Sequence, residues 1–313
     1  MKPTTTRYLD GEVHAYQVSG GVGGPLELVA TYRIEAADEI LDHAVAPDLS
    51  RAAYTTCNSV VCIGQDGHVL WHYDLEPRST QRYGFTPSCD FSLDGAGLWV
   101  YRPDAMADRG DHDMLVVLHA DTGEVVAEAD LDTTGHGIQH VQHPDGRHVL
   151  LEVGEGQDGV HIFRAALTGD GLDLHSYGWI DRCLVDVAPD GRWFMTVHHG
   201  QMGLTDVAFH AFPDGEVVLC LPVAAFGYQG SEAFIHWSGG FLDADMAIVT
   251  TIGKADDQEW RHHHRVDLRT GAPLGRFEPD CRHGYDFKPL GDGTWIASDP
   301  DGNPVRRRLS LDL

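Results

Sequence analysis

Apolar runs recur along the chain, each broken by a short acidic turn. His148-Val149-Leu150-Leu151-Glu152-Val153 follows one such turn. Trp193-Phe194-Met195-Thr196-Val197 and Met246-Ala247-Ile248-Val249-Thr250 follow two others. Short runs of this kind, rich in β-branched and aromatic residues, are strands. No segment sustains the 3.6-residue apolar period of an amphipathic helix, so the pattern predicts an all-β chain with almost no helix. The turns themselves repeat. They read Ala46-Pro47-Asp48, Leu93-Asp94-Gly95, Pro144-Asp145-Gly146, Pro189-Asp190-Gly191, a degenerate Leu242-Asp243-Ala244, and Gly291-Asp292-Gly293. Asp-Gly suits a tight hairpin, because glycine accepts positive φ and the aspartate caps its own turn.

A third strand after each anchor ends in a second turn, as in Leu115–Gly123 and Arg265–Gly271, and a fourth strand follows, as in Glu124–Ala129. The anchors recur every 45 to 53 residues. Four antiparallel strands in that length make a propeller blade. On the Pro-Asp-Gly turn and the Asp-x-x-Thr-Gly-like turn, the chain resembles the broad β-propeller repeat group of WD40-like, TolB-like and YVTN-type proteins. It departs from true WD40 repeats, since no blade carries the Trp-Asp dipeptide. The resemblance spans essentially the whole chain and implies a fold, not one family.

The 69 residues outside the anchored repeats hold one blade with a long loop more comfortably than two, which favours six blades. Seven is the alternative, with Leu9-Asp10-Gly11 as a worn seventh anchor. No Pro/Ser-rich linker divides residues 1–313, so a single propeller domain is expected. Its closing blade would mix C-terminal strands (285–290 and 294–298) with N-terminal ones (Glu12–Val18 and Leu26–Ile34).

Composition narrows the function classes. The chain has 313 residues, 42% hydrophobic, and 48 acidic against 22 basic residues, a formal charge of −26. Such a field repels phosphate backbones and anionic lipid, which argues against nucleic-acid and membrane partners. No apolar leader stands at Met1–Arg7, and no stretch reaches 18 consecutive apolar residues. Six scattered cysteines without a Cys-x-x-Cys pair suit reduced thiols in the cytoplasm.

Histidine is unusually frequent at 20 residues. Propellers place ligands around the channel mouth where the innermost strands begin. Counting back from the anchors puts His43, His140 and His236 there, two blades apart at 97- and 96-residue steps. Three imidazoles could hold a divalent metal such as zinc. Asp90, Asp186 and Asp286 lie at nearly the same level, and His136 and His283 on the rim above. These five are the catalytic candidates, although in a regular strand the Asp and His positions face opposite ways. The same histidines could instead bridge strands by hydrogen bonds. His262-His263-His264 reads as a surface run, since consecutive strand residues cannot chelate together. Gly20–Gly24 lacks the strand-to-helix setting of a dinucleotide site and reads as a loop.

Two readings compete: a channel-mouth site for a small polar ligand or metal, with catalysis open to it, and a non-enzymatic scaffold for a protein partner. Trp71, Tyr73, Trp99, Tyr101, Trp179 and Trp260 are the patch residues a scaffold would use, or else inter-blade core. In either case the charge predicts no binding of duplex DNA at physiological ionic strength. Salt-sensitive retention of the protein on a DNA column would refute that expectation.

Overall fold

A computed structural model describes residues 4–18, 21–76, 86–199, 205–229, 232–256, 258–281 and 286–309. The first sheet pairs β1 (Thr4–Leu9), β2 (Glu12–Gln17) and β3 (Glu27–Arg33). The second joins β4 (Asp42–Val45), β5 (Arg51–Thr55), β6 (Ser59–Gly64) and β7 (Val69–Asp74). The third joins β8 (Ser88–Phe91), β9 (Gly97–Arg102), β10 (Met114–His119) and β11 (Val125–Asp130). The fourth joins β12 (Gly137–Gln142), β13 (His148–Gly154), β14 (Val160–Thr168) and β15 (Gly171–Ser176). The fifth joins β16 (Arg182–Val187), β17 (Trp193–His198), β18 (Asp206–Ala211) and β19 (Val217–Pro222). The sixth joins β20 (Ala233–Phe241), β21 (Met246–Ala255), β22 (Gln258–Asp267) and β23 (Ala272–Phe277). The seventh joins β24 (Lys288–Pro289), β25 (Thr294–Ser298) and β26 (Pro304–Arg308).

Every sheet is an antiparallel meander in chain order, which is the blade of a β-propeller. The blades number seven, so the alternative count holds over the favoured six. Asp10 (φ 52°) and Gly11 (φ 85°) do form the β1–β2 turn, as a seventh anchor requires. The length arithmetic missed it because the first and seventh sheets have three named strands each and so use less chain. Glu12–Gln17 accordingly pairs with β1, and Glu27–Arg33 pairs with Glu12–Gln17, instead of joining the closing blade. The glycine-rich loop between them supplies that blade's edge. The Gly23 amide donates to Arg306 O (2.8 Å), the Leu26 amide donates to Pro304 O (2.8 Å), and Pro25 bridges Val305. Among the described residues, helix is confined to two 3-10 turns, and none is long and apolar enough to cross a membrane.

The contacts define two compact units. Residues 1–19 and 27–178 form the first, with four sheets. Residues 20–26 and 179–313 form the second, with three.

All six anchor aspartates work as the turn chemistry demands. In each, Oδ1 accepts the amide two residues on, from Asp48 with Ser50 (3.0 Å) to Asp292 with Thr294 (3.1 Å). The following residue is glycine at positive φ in four of the turns, Gly95, Gly146, Gly191 and Gly293, and Leu49 takes the same conformation at 62°.

Side chains between successive sheets fill the core. In the first unit Trp71, Leu98, Val100, Val116 and Leu118 pack between the second and third sheets. Trp99, Tyr101, Leu151 and Phe163 pack between the third and fourth. Each fully buried side chain of this size contributes about 1.5–3 kcal/mol. The second turn of the repeat locks neighbouring sheets. Trp71 Nε1 donates to Ala120 O (2.8 Å), and the indole lies where a Cβ on Gly123 would come within 2.7 Å. In the second unit Leu219 sits against Gly271 in the same way, at 2.9 Å.

Gly123 therefore needs glycine twice, for its φ of +71° and for Trp71, whereas Gly11 needs it only for φ. Left-handed alanine costs about 1–2 kcal/mol. Gly11→Ala should lose that much in chemical denaturation, and Gly123→Ala about 1–3 kcal/mol more from overpacking. Equal losses would show that the Trp71 contact is not tight.

Candidate functional site

The first strands of successive sheets lie side by side within each unit, β4 with β8, β8 with β12, and β16 with β20. Their aspartates tie them together. Asp42 Oδ2 accepts the Cys89 amide (3.0 Å), Asp90 Oδ2 accepts Gln142 Nε2 (3.2 Å), and Asp186 Oδ2 accepts the Phe241 amide (2.8 Å). Asp286 accepts the amide and hydroxyl of Ser298 on its own sheet. Burial raises Asp186 to about 6, against the Phe241 and Val187 amides that favour the charged form. Burial likewise raises Asp42, against the Cys89 and His43 amides. Asp42 sits as far before its anchor as Asp286 does, and the sequence argument passed it over.

The predicted histidines fall where the repeat puts them, His43 on β4, His140 on β12 and His236 on β20. His43 and His140 belong to the first unit and His236 to the second. His140 Nδ1 lies 3.4 Å from Ser88 Oγ on the neighbouring β8. The Nε2 atoms of His43 and His140 are buried and have no hydrogen-bond partner among the described residues. Burial lowers both pKa values, that of His140 to about 4, so both rings are neutral. His236 differs, because its Nδ1 meets the Ser238 hydroxyl (2.8 Å) and amide (3.0 Å).

That contact sits in a β-bulge, where the register slips between His236 and Gly239. Gly239 and Gly240 take φ of +146° and +137°, and a Cβ on Gly240 would stand 2.5 Å from Asp186 Oδ2. Bulges re-aim side chains, and here Trp237 is left 50% exposed, with its ring 4.2 Å from that of His236. Sequence periodicity has no signal for this beyond the Ser238-Gly239-Gly240 run itself.

The His136 amide donates to Gly154 O (2.7 Å), and its ring sits beside Gly156. His283 lies outside the described residues. The His262–His264 run is not a surface feature. His263 and His264 are buried, with Thr250 Oγ1 2.9 Å from His263 Nδ1 and Thr251 Oγ1 3.0 Å from His264 Nε2. The sheet is covered on both faces, so alternation alone did not expose either ring. Trp71, Trp99 and Tyr101 are core, as their strand positions suggested. All six cysteines are free, and burial pushes Cys62 up to about 12.

Two further features lie at the turns of the first unit. Asp145 sits between two rings, with Oδ2 2.7 Å from His148 Nδ1 and 3.1 Å from His143 Nδ1. A cavity of about 360 Å³ opens beside them, lined by Ser92, Asp94, Trp99, His119, Gln142 and Arg147 among others.

No protein-family model matches the chain, and no curated protein matches it by sequence. Solved structures do match in shape. The Dos1 propeller aligns over 97% of this chain and 83% of its own, at 12% identity and a TM-score of 0.57. Hydrazine synthase of Kuenenia stuttgartiensis aligns over 88% and 76%, at 16% identity and 0.55. Dihydro-heme d1 dehydrogenase NirN aligns over 92% of this chain but only 56% of its own, at 12% identity and 0.54. At such identities the likeness carries the fold alone, and that fold is the β-propeller.

Five histidines, His140, His210, His236, His263 and His264, are lowered by burial from 6.5 to about 4. Below pH 6.5 the unfolded chain binds protons that the folded one refuses. Stability is thus full above pH 6.5 and lost as pH falls towards 4. Urea midpoints should drop steeply across that window, and a flat profile would show that these rings are not held neutral.

Proposed function

We propose that this propeller is a binding protein for a small polar molecule, recognised on the first strands of the first unit by His43 and His140. The observation that carries the proposal is the pair of buried Nε2 atoms lacking a partner among the described residues. A buried polar atom left unpaired costs about 1–3 kcal/mol, and a ligand atom in that place removes the penalty. Both rings are neutral, so each offers a single donor or acceptor and no charge. Hydroxyl, amide and carbonyl groups suit such a pair better than a strong anion does. The aspartates Asp42, Asp90 and Asp186 enter this reading as the ties that hold the strands in place.

The scaffold reading draws on different residues. Val69, Leu70, Val125, Val126, Val217 and Val218 are each 43–59% exposed on the last strands of three sheets. They offer apolar surface to a protein partner.

The test is a thermal-shift screen of polyols, sugars, amides and carboxylic acids on the wild type and His140→Leu. At least one compound should raise the melting temperature of the wild type and leave the variant unmoved. The variant alone should melt no lower than the wild type, since it sheds an unpaired nitrogen. An empty screen, or a shift that survives the substitution, would overturn the proposal.

A further inference from the structure

We infer that the β12–β13 hairpin of the first unit is a binding site for a divalent transition metal, zinc in its chemistry, held by His143, Asp145 and His148. One donor atom from each residue lies within 4.8 Å of the other two. Asp145 Oδ2 is 2.7 Å from His148 Nδ1 and 3.1 Å from His143 Nδ1. Tetrahedral zinc with bonds of about 2.0–2.1 Å sets its ligand atoms roughly 3.3 Å apart. The two histidine nitrogens need to move only a fraction of an ångström from Asp145 Oδ2.

The hairpin fixes them. The His143 amide donates to His148 O (2.9 Å) and the Gly146 amide donates to His143 O (3.0 Å), so the two histidines face each other across the turn. Their rings stand at 89° with centroids 6.1 Å apart. Asp145 divides its two oxygens. Oδ1 accepts the amides of Arg147 (2.9 Å) and His148 (3.0 Å) and caps the turn, which leaves Oδ2 to the rings.

Comparison with the other turns of this chain sharpens the inference. Where the second carboxylate oxygen of an anchor has a side-chain partner outside this hairpin, that partner is a cation. Asp190 Oδ2 meets Arg192 and Asp292 Oδ2 meets Arg306. At Asp145 the equivalent oxygen meets two imidazoles. Of the six anchors, only this one has histidine both two residues before and three residues after it.

Electrostatics favour occupancy. The chain's charge of −26 attracts cations generally. Three protein donors leave a fourth coordination position for water.

The test is calorimetric titration of metal-stripped full-length protein with zinc chloride. One zinc should bind per chain. Asp145→Asn keeps an oxygen for the cap but loses the charged donor, and His148→Gln loses one imidazole on a part-exposed strand. Outer-shell partners of a metal are worth about 10–100-fold in affinity, so each variant should weaken binding at least about tenfold. His140→Leu should bind zinc as the wild type does, which separates this site from the one proposed above. If circular dichroism shows that Asp145→Asn does not fold, His148→Gln alone decides. Absence of stoichiometric zinc binding, wild-type affinity in the folded variants, or loss of binding in His140→Leu would each overturn the inference.

Discussion

A carboxylate oxygen accepting the amide two residues further on is the contact on which the rest of this structure depends. It closes the first hairpin of six of the seven sheets. Each closure fixes which residues of the first two strands face each other, and a slip of one position would turn every side chain to the opposite face. The cores between sheets follow from that register, and so does the level at which Asp42, Asp90 and Asp186 reach their neighbours.

The same contact explains why so much of the fold was legible in the sequence. Asp-Gly turns, four apolar strands per repeat and the absence of helical period are local signals, and a propeller is built from local meanders. The blade count was harder, because it depends on where the chain departs from the repeat. The first sheet is short, and the loop containing Gly23 and Pro25 serves a different sheet from the strands on either side of it. Nothing in residue spacing marks such an exchange. His262–His264 misled for a related reason. Alternation tells which residues share a face, but not that both faces of the sheet are covered.

The strand positions of the candidate residues were legible, and their partners less so. Counting back from the anchors put His43, His140 and His236 on first strands, but only coordinates show that Ser238 engages the third while the Nε2 atoms of the first two have no partner among the described residues. The outward turn of Trp237 depends on a bulge, which periodic counting averages away. The pair His143 and His148 was visible all along as two letters flanking a turn. Its meaning came from the turn's geometry, which sets both rings on one carboxylate oxygen.

The edge that residues 21–26 give to β26 bears on how the protein reaches its native state. Pro25 and Val305 pair across about 280 residues of chain, the far extreme of sequence separation for a strand contact. Loop-closure entropy grows only slowly with length, so the pairing costs little more in equilibrium stability than a nearer one would. Its burden is kinetic, because long-range strand contacts slow the search for the native topology. During synthesis, residues 21–26 are made well before β26 and stay unpaired until it emerges. An open edge is a template for pairing with other chains. The glycines at 21, 23 and 24 make that segment a weak strand until its partner arrives, and this protects the young chain from aggregation through it.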